Sequence, residues 1–312
     1  MANKRIPILL SFYALSNGET TLTFGQITYT SLKDFSFVDY GTRKTFKTLI
    51  RLYRTRAYAN RQIVLNFTTG IVEANTNRYG AFYVKSEASA ISGRLERVAL
   101  KSGDDVRIVE GLYARAIDAP KGDTIVVSDI DDTLVHSFIN DRLMQFRTLM
   151  FTSMEKRKAV VDMQALLMHF VSMGAVPVYL SNSEQNLYPL IYRFLKHNSF
   201  PEGPLFLKHL RRLRDVLLNV KMPPRNTHKV MMLAELFEMF PNRKFILMGD
   251  NTQSDVAIYL SAAEKYGDNI RYIIIRRVLK RRSGEKRIAE AARKLAERGV
   301  GFYYADEFPK TF

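Results

Sequence analysis

From residue 124 onward the chain keeps returning to one pattern: a short, nearly unbroken apolar run, a polar residue, then a segment of helical spacing. The runs are Thr124–Ser128, 175–180, 203–208, 244–248 and 270–275. A strand that is apolar on both faces belongs inside a parallel sheet covered by helices. The intervening segments supply those helices, with helical spacing across 138–173, 187–198 and 229–240 and a charged helix near 285–298. The expected fold class is α/β, a doubly wound, Rossmann-like parallel sheet whose ligands sit beyond the carboxyl ends of its strands.

The first 120 residues have another texture. Short alternating runs at 6–13, 20–28, 62–67, 70–75 and 81–85 are separated by Asn17-Gly18, Thr69-Gly70 and Tyr79-Gly80. These are strand and turn signals. A single helix is expected over 45–58, where Phe46, Leu49, Ile50, Leu52 and Tyr53 share a face between arginines. The predicted organisation is a smaller N-terminal β-sandwich-like domain over 1–120 and an α/β domain over 121–312, joined near Ala119-Pro120-Lys121-Gly122.

Composition narrows the chemistry. The 312 residues include no cysteine. That excludes disulfides, thiolate nucleophiles and cysteine zinc sites, and it suits a reducing compartment. After Lys4-Arg5 the apolar stretch ends at Ser11, too short for a secretory leader, so a first strand is expected there. No uncharged apolar run reaches membrane-spanning length, and the expected location is cytoplasmic, with peripheral attachment to a membrane as an extension. A net charge of +16 favours anionic partners: a phosphoester, an anionic lipid surface, or, ranked below these, nucleic acid. Between Asp39 and Glu73 there are seven arginines and lysines and no acid. A solvated helix face and a functional patch explain that run equally well.

The polar residues that end the apolar runs carry the functional reading. Asp129 and Asp131 follow the first, Ser181 the second, and Asp250 and Asp255 the fourth, while Lys229 opens the helix that leads into the fourth. In a parallel sheet these ends face one crevice. Taken singly, Asp132-Thr133 could be a helix cap, Gly249-Asp250 a turn and Lys229 an exposed charge. Together they match what cleavage of a phosphoester requires. One carboxylate attacks phosphorus, and a second, two residues on, protonates the leaving alcohol and then activates water. A hard divalent cation, Mg²⁺, holds the crowded acids, and a lysine and a hydroxyl grip the phosphoryl group. The acids are too dispersed for a calcium loop.

These residues resemble the haloacid dehalogenase (HAD) superfamily in three motifs. They are Asp129-Ile130-Asp131-Asp132-Thr133-Leu134, Val178-Tyr179-Leu180-Ser181-Asn182, and Leu247-Met248-Gly249-Asp250 with Asp255. The resemblance implies a HAD-like fold with Asp129 as nucleophile and metal ligand. It implies Asp131 as acid/base with its carbonyl on the metal, and Ser181, Asn182 and Lys229 on the phosphoryl group. Asp250 and Asp255 would complete the metal site. Lys208, at the end of the third run, is the rival to Lys229.

A narrower resemblance is to the actin-patch-type phosphatidate phosphatase catalytic domain family. It rests on Ser128 to Thr133, Leu180-Ser181-Asn182-Ser183, Asn186-Leu187-Tyr188-Pro189-Leu190, Phe200 to Leu205, His228-Lys229, Phe240 to Leu247 and Gln253. It implies hydrolysis of phosphatidate to diacylglycerol. Asn251-Thr252 stand where that family usually has Ser-Gly, Val135 where a lysine is common, and 158–161 lack a frequent Pro-Gly. All border the substrate and none is a catalytic acid. The segment between Lys208 and Lys229 holds Arg211, Arg212, Arg214, Lys221 and Arg225 against Asp215 alone. Arg211 and Arg212 are the expected grip on an anionic headgroup, with a solvated loop as the equal alternative.

Overall fold

The computed structural model describes residues 5–30, 52, 55–135, 159–208, 227–252, 254–278 and 282–309, with side chains of the last stretch from 288. The N-terminal strands are β1 (Ile6–Ser16), β2 (Thr20–Thr30), β3 (Arg56–Ala57), β4 (Gln62–Thr69), β5 (Ile71–Asn75), β6 (Ala81–Glu87), β7 (Ser92–Leu100), β8 (Asp105–Val106) and β9 (Ile117–Asp118). They build two sheets. One runs β3-β2-β1-β9, with β6 also on β2, and the other runs β5-β4-β7-β8. Alternation places Phe12 of β1 and Phe67 of β4 inward, where their ring centroids lie 6.2 Å apart.

Two details differ from the sequence expectation. The end of the expected 45–58 helix is strand β3, paired with β2 at Thr28–Ala57 and Tyr29–Arg56, while most of that segment lies outside the described residues. β7 was not singled out by its pattern. Its pairing with β4 shifts register at Asn66/Phe67 and Phe67/Thr69, and each shift interrupts the period of two.

The second half contains β10 (Thr124–Ser128), α1 (Val161–Ser172), β11 (Val176–Glu184), α2 (Tyr188–His197), β12 (Leu205–Lys208), α3 (Thr227–Met239), β13 (Lys244–Asp250), α4 (Asp255–Tyr266), β14 (Ile270–Arg276), α5 (Arg282–Ala296) and β15 (Gly301–Ala305). These six strands form one sheet in the order β12-β11-β10-β13-β14-β15, every pair parallel. Numbered along the chain, that order is 3-2-1-4-5-6, the doubly wound arrangement. α1 and α2 bury their apolar residues with one face of the sheet, and α3, α4 and α5 with the other. The continuous apolar runs are explained by this double coverage. α4 and β15 were not anticipated: β15 is a half-exposed edge strand whose pattern carries no clear period.

The two halves share their packing. Ile8, Phe12 and Leu65 belong to the same apolar cluster as Val126, Met163 and Leu190. On the opposite side of β1 and β2, Tyr13 and Leu22 pack with Val178, Phe206 and Leu233, and Phe24 stacks on Phe206 at 4.5 Å.

Candidate active site

The strand order reverses between β10 and β13, and at such a point the connections leave in opposite directions and open a crevice beyond the strand ends. The Asp129 N–H donates to the Met248 carbonyl at 2.8 Å, carrying the ladder one residue past β10. The chain then turns sharply. Leu134 and Val135 donate to the Ile130 carbonyl, and Asp132 adopts a left-handed φ of 59°, which aspartate tolerates better than most residues. This turn, rather than a helix cap, is what Asp132 and Thr133 serve. It puts the Thr133 hydroxyl 3.3 Å from Asp250 Oδ2 and 3.5 Å from Asp129 Oδ2. Arg276, at the end of β14, braces the turn by donating to the Asp132 carbonyl at 2.8 Å.

Four charged groups from four elements meet at this seam. The Lys229 ammonium, from the first turn of α3, donates to Asp129 Oδ1 at 2.7 Å and Asp255 Oδ1 at 2.6 Å. Lys229, Asp250 and Asp255 are fully buried, and Asp129 nearly so. The carboxylates of Asp129, Asp250 and Asp255 each offer one oxygen within 4.8 Å of the others. Asp255 reaches the seam because position 249 is glycine. A Cβ there would lie 2.8 Å from Asp255 Oδ2 and 2.9 Å from the Tyr259 ring. Tyr259, one turn along α4, donates to the Met248 carbonyl at 3.0 Å and ties that helix to β13.

Burial dominates the electrostatics. It pushes the Asp129 carboxyl well above the usual carboxylate range; Lys229 opposes the shift, and Asp255, Asp250 and Asp131 add to it. Burial and then Asp255 raise the Asp250 carboxyl to about 7. Burial alone would lower the Lys229 ammonium, but Asp129 and Asp255 outweigh it and hold the charge. Three carboxylates facing one ammonium leave a formal deficit of two positive charges when all are ionised. Asp255 Oδ2 is buried without a hydrogen-bond partner among the described residues. A hard divalent cation with oxygen ligands fits both features.

Asp131 stands apart from this cluster. It is half-buried, and its Oδ2 accepts from Ser183 Oγ at 2.7 Å and Ser181 Oγ at 3.1 Å. Between Leu180 and Glu184 the β11–β12 pairing skips residues, so Ser181, Asn182 and Ser183 bulge off the ladder toward the crevice. Both amide atoms of Asn182 are buried without a partner among the described residues. Lys208 ends β12 opposite Glu184, two strands from β10, and the ammonium on the acids is that of Lys229.

Sequence reading therefore named the residues that converge: Asp129, Asp250, Asp255 and Lys229 in one cluster, with Asp131 and Ser181 beside it. It missed the second hydroxyl on Asp131 (Ser183), the steric role of Gly249, and the braces Tyr259 and Arg276. Ser183, Gly249 and Tyr259 lie in or near the motifs, and Arg276 follows the fifth apolar run, but nothing local marks their roles. Arg211, Arg212 and Gln253 lie outside the described residues.

Residues 124–277 match the family model described as phosphatidate phosphatase APP1, catalytic domain. The chain is 28% identical over 208 residues to "Phosphatidate phosphatase APP1" of Saccharomyces cerevisiae, covering 64% of this chain and 34% of that protein. It is 21% identical over 237 residues to an uncharacterized protein of Schizosaccharomyces pombe, covering 74% of this chain and 38% of that one. The chain thus spans little more than a third of the length of these relatives. Among solved structures, a chain of the Pnkp1/Rnl/Hen1 complex aligns with a TM-score of 0.34 at 16% identity, over 57% of this chain and 54% of that one, a likeness too slight to support any conclusion. Residues 124–277 are thus similar to the catalytic domain of APP1-type phosphatidate phosphatases.

Proposed function

We propose that this chain is a Mg²⁺-dependent phosphoric monoester hydrolase that acts on phosphatidate or a close relative through an aspartyl-phosphate on Asp129. The homology to phosphatidate phosphatases supports the reaction class and the substrate. The observation that carries the mechanism is the buried meeting of Asp129, Asp250, Asp255 and Lys229, with Asp131 held two residues from the nucleophile. In this reading residues 121–312 form a HAD-like phosphatase unit and 1–120 a β-rich unit.

The chemistry follows from the side chains. An oxygen of Asp129 attacks phosphorus while the bond to the leaving alkoxide breaks, and the Asp131 carboxyl gives that alkoxide its proton. Asp131, now a carboxylate held by Ser181 and Ser183, takes a proton from the water that attacks the aspartyl-phosphate. The acyl-phosphate P–O bond breaks, phosphate leaves and Asp129 is restored. Lys229 and Asn182 grip the phosphoryl oxygens, joined by Ser181 while Asp131 is protonated and the one Ser181 hydroxyl proton can turn to the phosphoryl group. The Asn182 amide, without a partner among the described residues, supplies a donor for them. Mg²⁺ on Asp129, Asp250, Asp255 and the Asp131 carbonyl would supply the positive charge the acid cluster lacks and offset the charge on the phosphoryl oxygens.

A peripheral approach to the lipid surface suits a chain with net charge +16, with Arg211 and Arg212 as the headgroup contacts. Among the described residues no helix is long and apolar enough to cross a membrane. The test is phosphate release from phosphatidate in mixed micelles, from a soluble phosphomonoester and from phosphorylated oligonucleotide ends. Mg²⁺-dependent release, highest on phosphatidate and abolished by chelator, supports the proposal. Release confined to oligonucleotide ends, or undiminished in excess chelator, contradicts it.

A further inference from the structure

The bulge that presents Ser181 and Ser183 to Asp131 has two ends, and they are anchored differently. Its near end is the β10–β11 ladder inside the sheet. Its far end is pinned to β12 through Glu184 opposite Lys208, and then the chain leaves the sheet. The next two residues bond to the N-terminal half. Gln185 Nε2 donates to Ser11 Oγ, and Asn186 Nδ2 donates to the Leu52 carbonyl at 3.0 Å. Asn186 is fully buried. Ser11 is available for this contact because β1 shifts register between Leu9 and Ser11. Ser11 pairs with Gln26 of β2, and the neighbouring Gly25 has no room for a side chain, since a Cβ there would lie 2.4 Å from the Ser11 carbonyl. The same half also touches the helix that carries Lys229: Asn17 Nδ2 donates to the carbonyl of Met239, the last residue of α3, at 2.8 Å.

We propose that the N-terminal β-rich half positions the acid/base of the reaction, with Asn186 and Gln185 as positioning residues that fix the Ser181–Ser183 bulge, and through it Asp131. The proposal rests on the function proposed above. A buried amide bonded to the carbonyl of Leu52, a residue distant in sequence, restricts where the far end of the bulge can sit. Without that bond the far end keeps only its pairing with β12 and the Gln185 contact, and the two hydroxyls are held less firmly in register on Asp131 Oδ2. Small misplacements of a catalytic group lower rates steeply, and general acid catalysis matters most when the leaving group is a poor one.

That dependence separates positioning from loss of folded protein. Asn186→Ala and, as a milder partner, Gln185→Ala are compared with wild type on two substrates. One has an alkyl alcohol as leaving group and the other is p-nitrophenyl phosphate, whose phenol departs without a proton. Hydrolysis of the aspartyl-phosphate is common to both substrates, so the comparison is made on kcat/KM, which reports formation of that intermediate. The expected fall is about tenfold or more on the alkyl ester and less than about threefold on the aryl ester. Equal losses on both substrates, or none, overturn the proposal. Hydrogen exchange of the Ser183 amide, which donates to Ser181 Oγ at 3.0 Å, supplies a readout independent of turnover. Its exchange is expected to speed up about tenfold in either variant while amides of β13 stay unchanged. An unchanged Ser183 amide overturns the proposal whether or not the protein hydrolyses phosphatidate. Should wild type be inactive on every phosphoester while the Ser183 amide responds as stated, the functional reading fails and the tether stands.

Discussion

β2 and the β10–β13 seam both bury polar side chains, yet they do so in opposite ways. In β2 the hydroxyls of Thr21, Thr23 and Thr28 are sealed from water without a hydrogen-bond partner among the described residues. All three are neutral and come from one strand. A buried hydroxyl without a partner costs roughly 1–3 kcal/mol, which surrounding apolar packing offsets. At the seam the groups are charged and arrive from the end of β10, α3, β13 and α4; Lys229 bonds Asp129 and Asp255, and an Asp250 oxygen lies within 4.8 Å of both carboxylates. A charge in a dry place costs far more than a hydroxyl, and it persists only beside an opposite one. Convergence of charge from distant positions, rather than buried polarity as such, marks the site.

The contrast is tested most strongly by removing the compensating charge. Lys229→Met in the presence of chelator is expected to lose about 3–5 kcal/mol of stability in urea unfolding, because the buried Asp129 and Asp255 carboxylates lose the cation bonded to them and Asp250 loses its nearby charge. Part of that loss should return with millimolar Mg²⁺. A loss below about 1 kcal/mol would put the seam in the same class as β2.

A smaller effect concerns pH. The folded Asp250 carboxyl sits near 7 instead of its ordinary 3.8. The stability it contributes is present below about pH 4, where it is protonated in both states, and is lost as pH rises through about 7. Asp129 shifts in the same direction. In chelator, the urea midpoint of wild type should therefore fall from pH 5 to pH 8 relative to that of Asp250→Asn, and saturating Mg²⁺ should shrink the difference. Parallel profiles would show that burial at the seam carries no proton-linked strain.

The smallest change is expected in β2. Thr23→Val keeps the volume and removes a hydroxyl with no partner, so stability should stay level or rise by up to about 1 kcal/mol. A loss above about 2 kcal/mol would reveal a partner for that hydroxyl and weaken the comparison from its other side.

Legibility in the sequence follows the same division. The runs ending at Ser128, Leu180, Met248 and Ile275 were readable because a strand buried on both faces leaves an unbroken apolar signature. Their terminal acids were readable because parallel strands end at a common edge. β7 was obscured by register shifts, and β15 by partial exposure at the sheet edge. Gly249 looks like an ordinary turn residue until α4 is seen pressing on it. Asn186 opens a recognisable motif and Gln185 precedes it, but their partners, Leu52 and Ser11, are more than a hundred residues away, and no local pattern encodes that pairing.

The central claim is that the seam makes Asp129 a nucleophile, and trapping the covalent intermediate tests it most directly. Wild type mixed with Mg²⁺ and substrate labelled in its phosphate, quenched in acid within a single turnover, should carry label on the peptide containing Asp129. Asp129→Asn should carry none and should lose turnover by at least about a thousandfold. Label on another residue, or undiminished turnover in Asp129→Asn, would contradict the account.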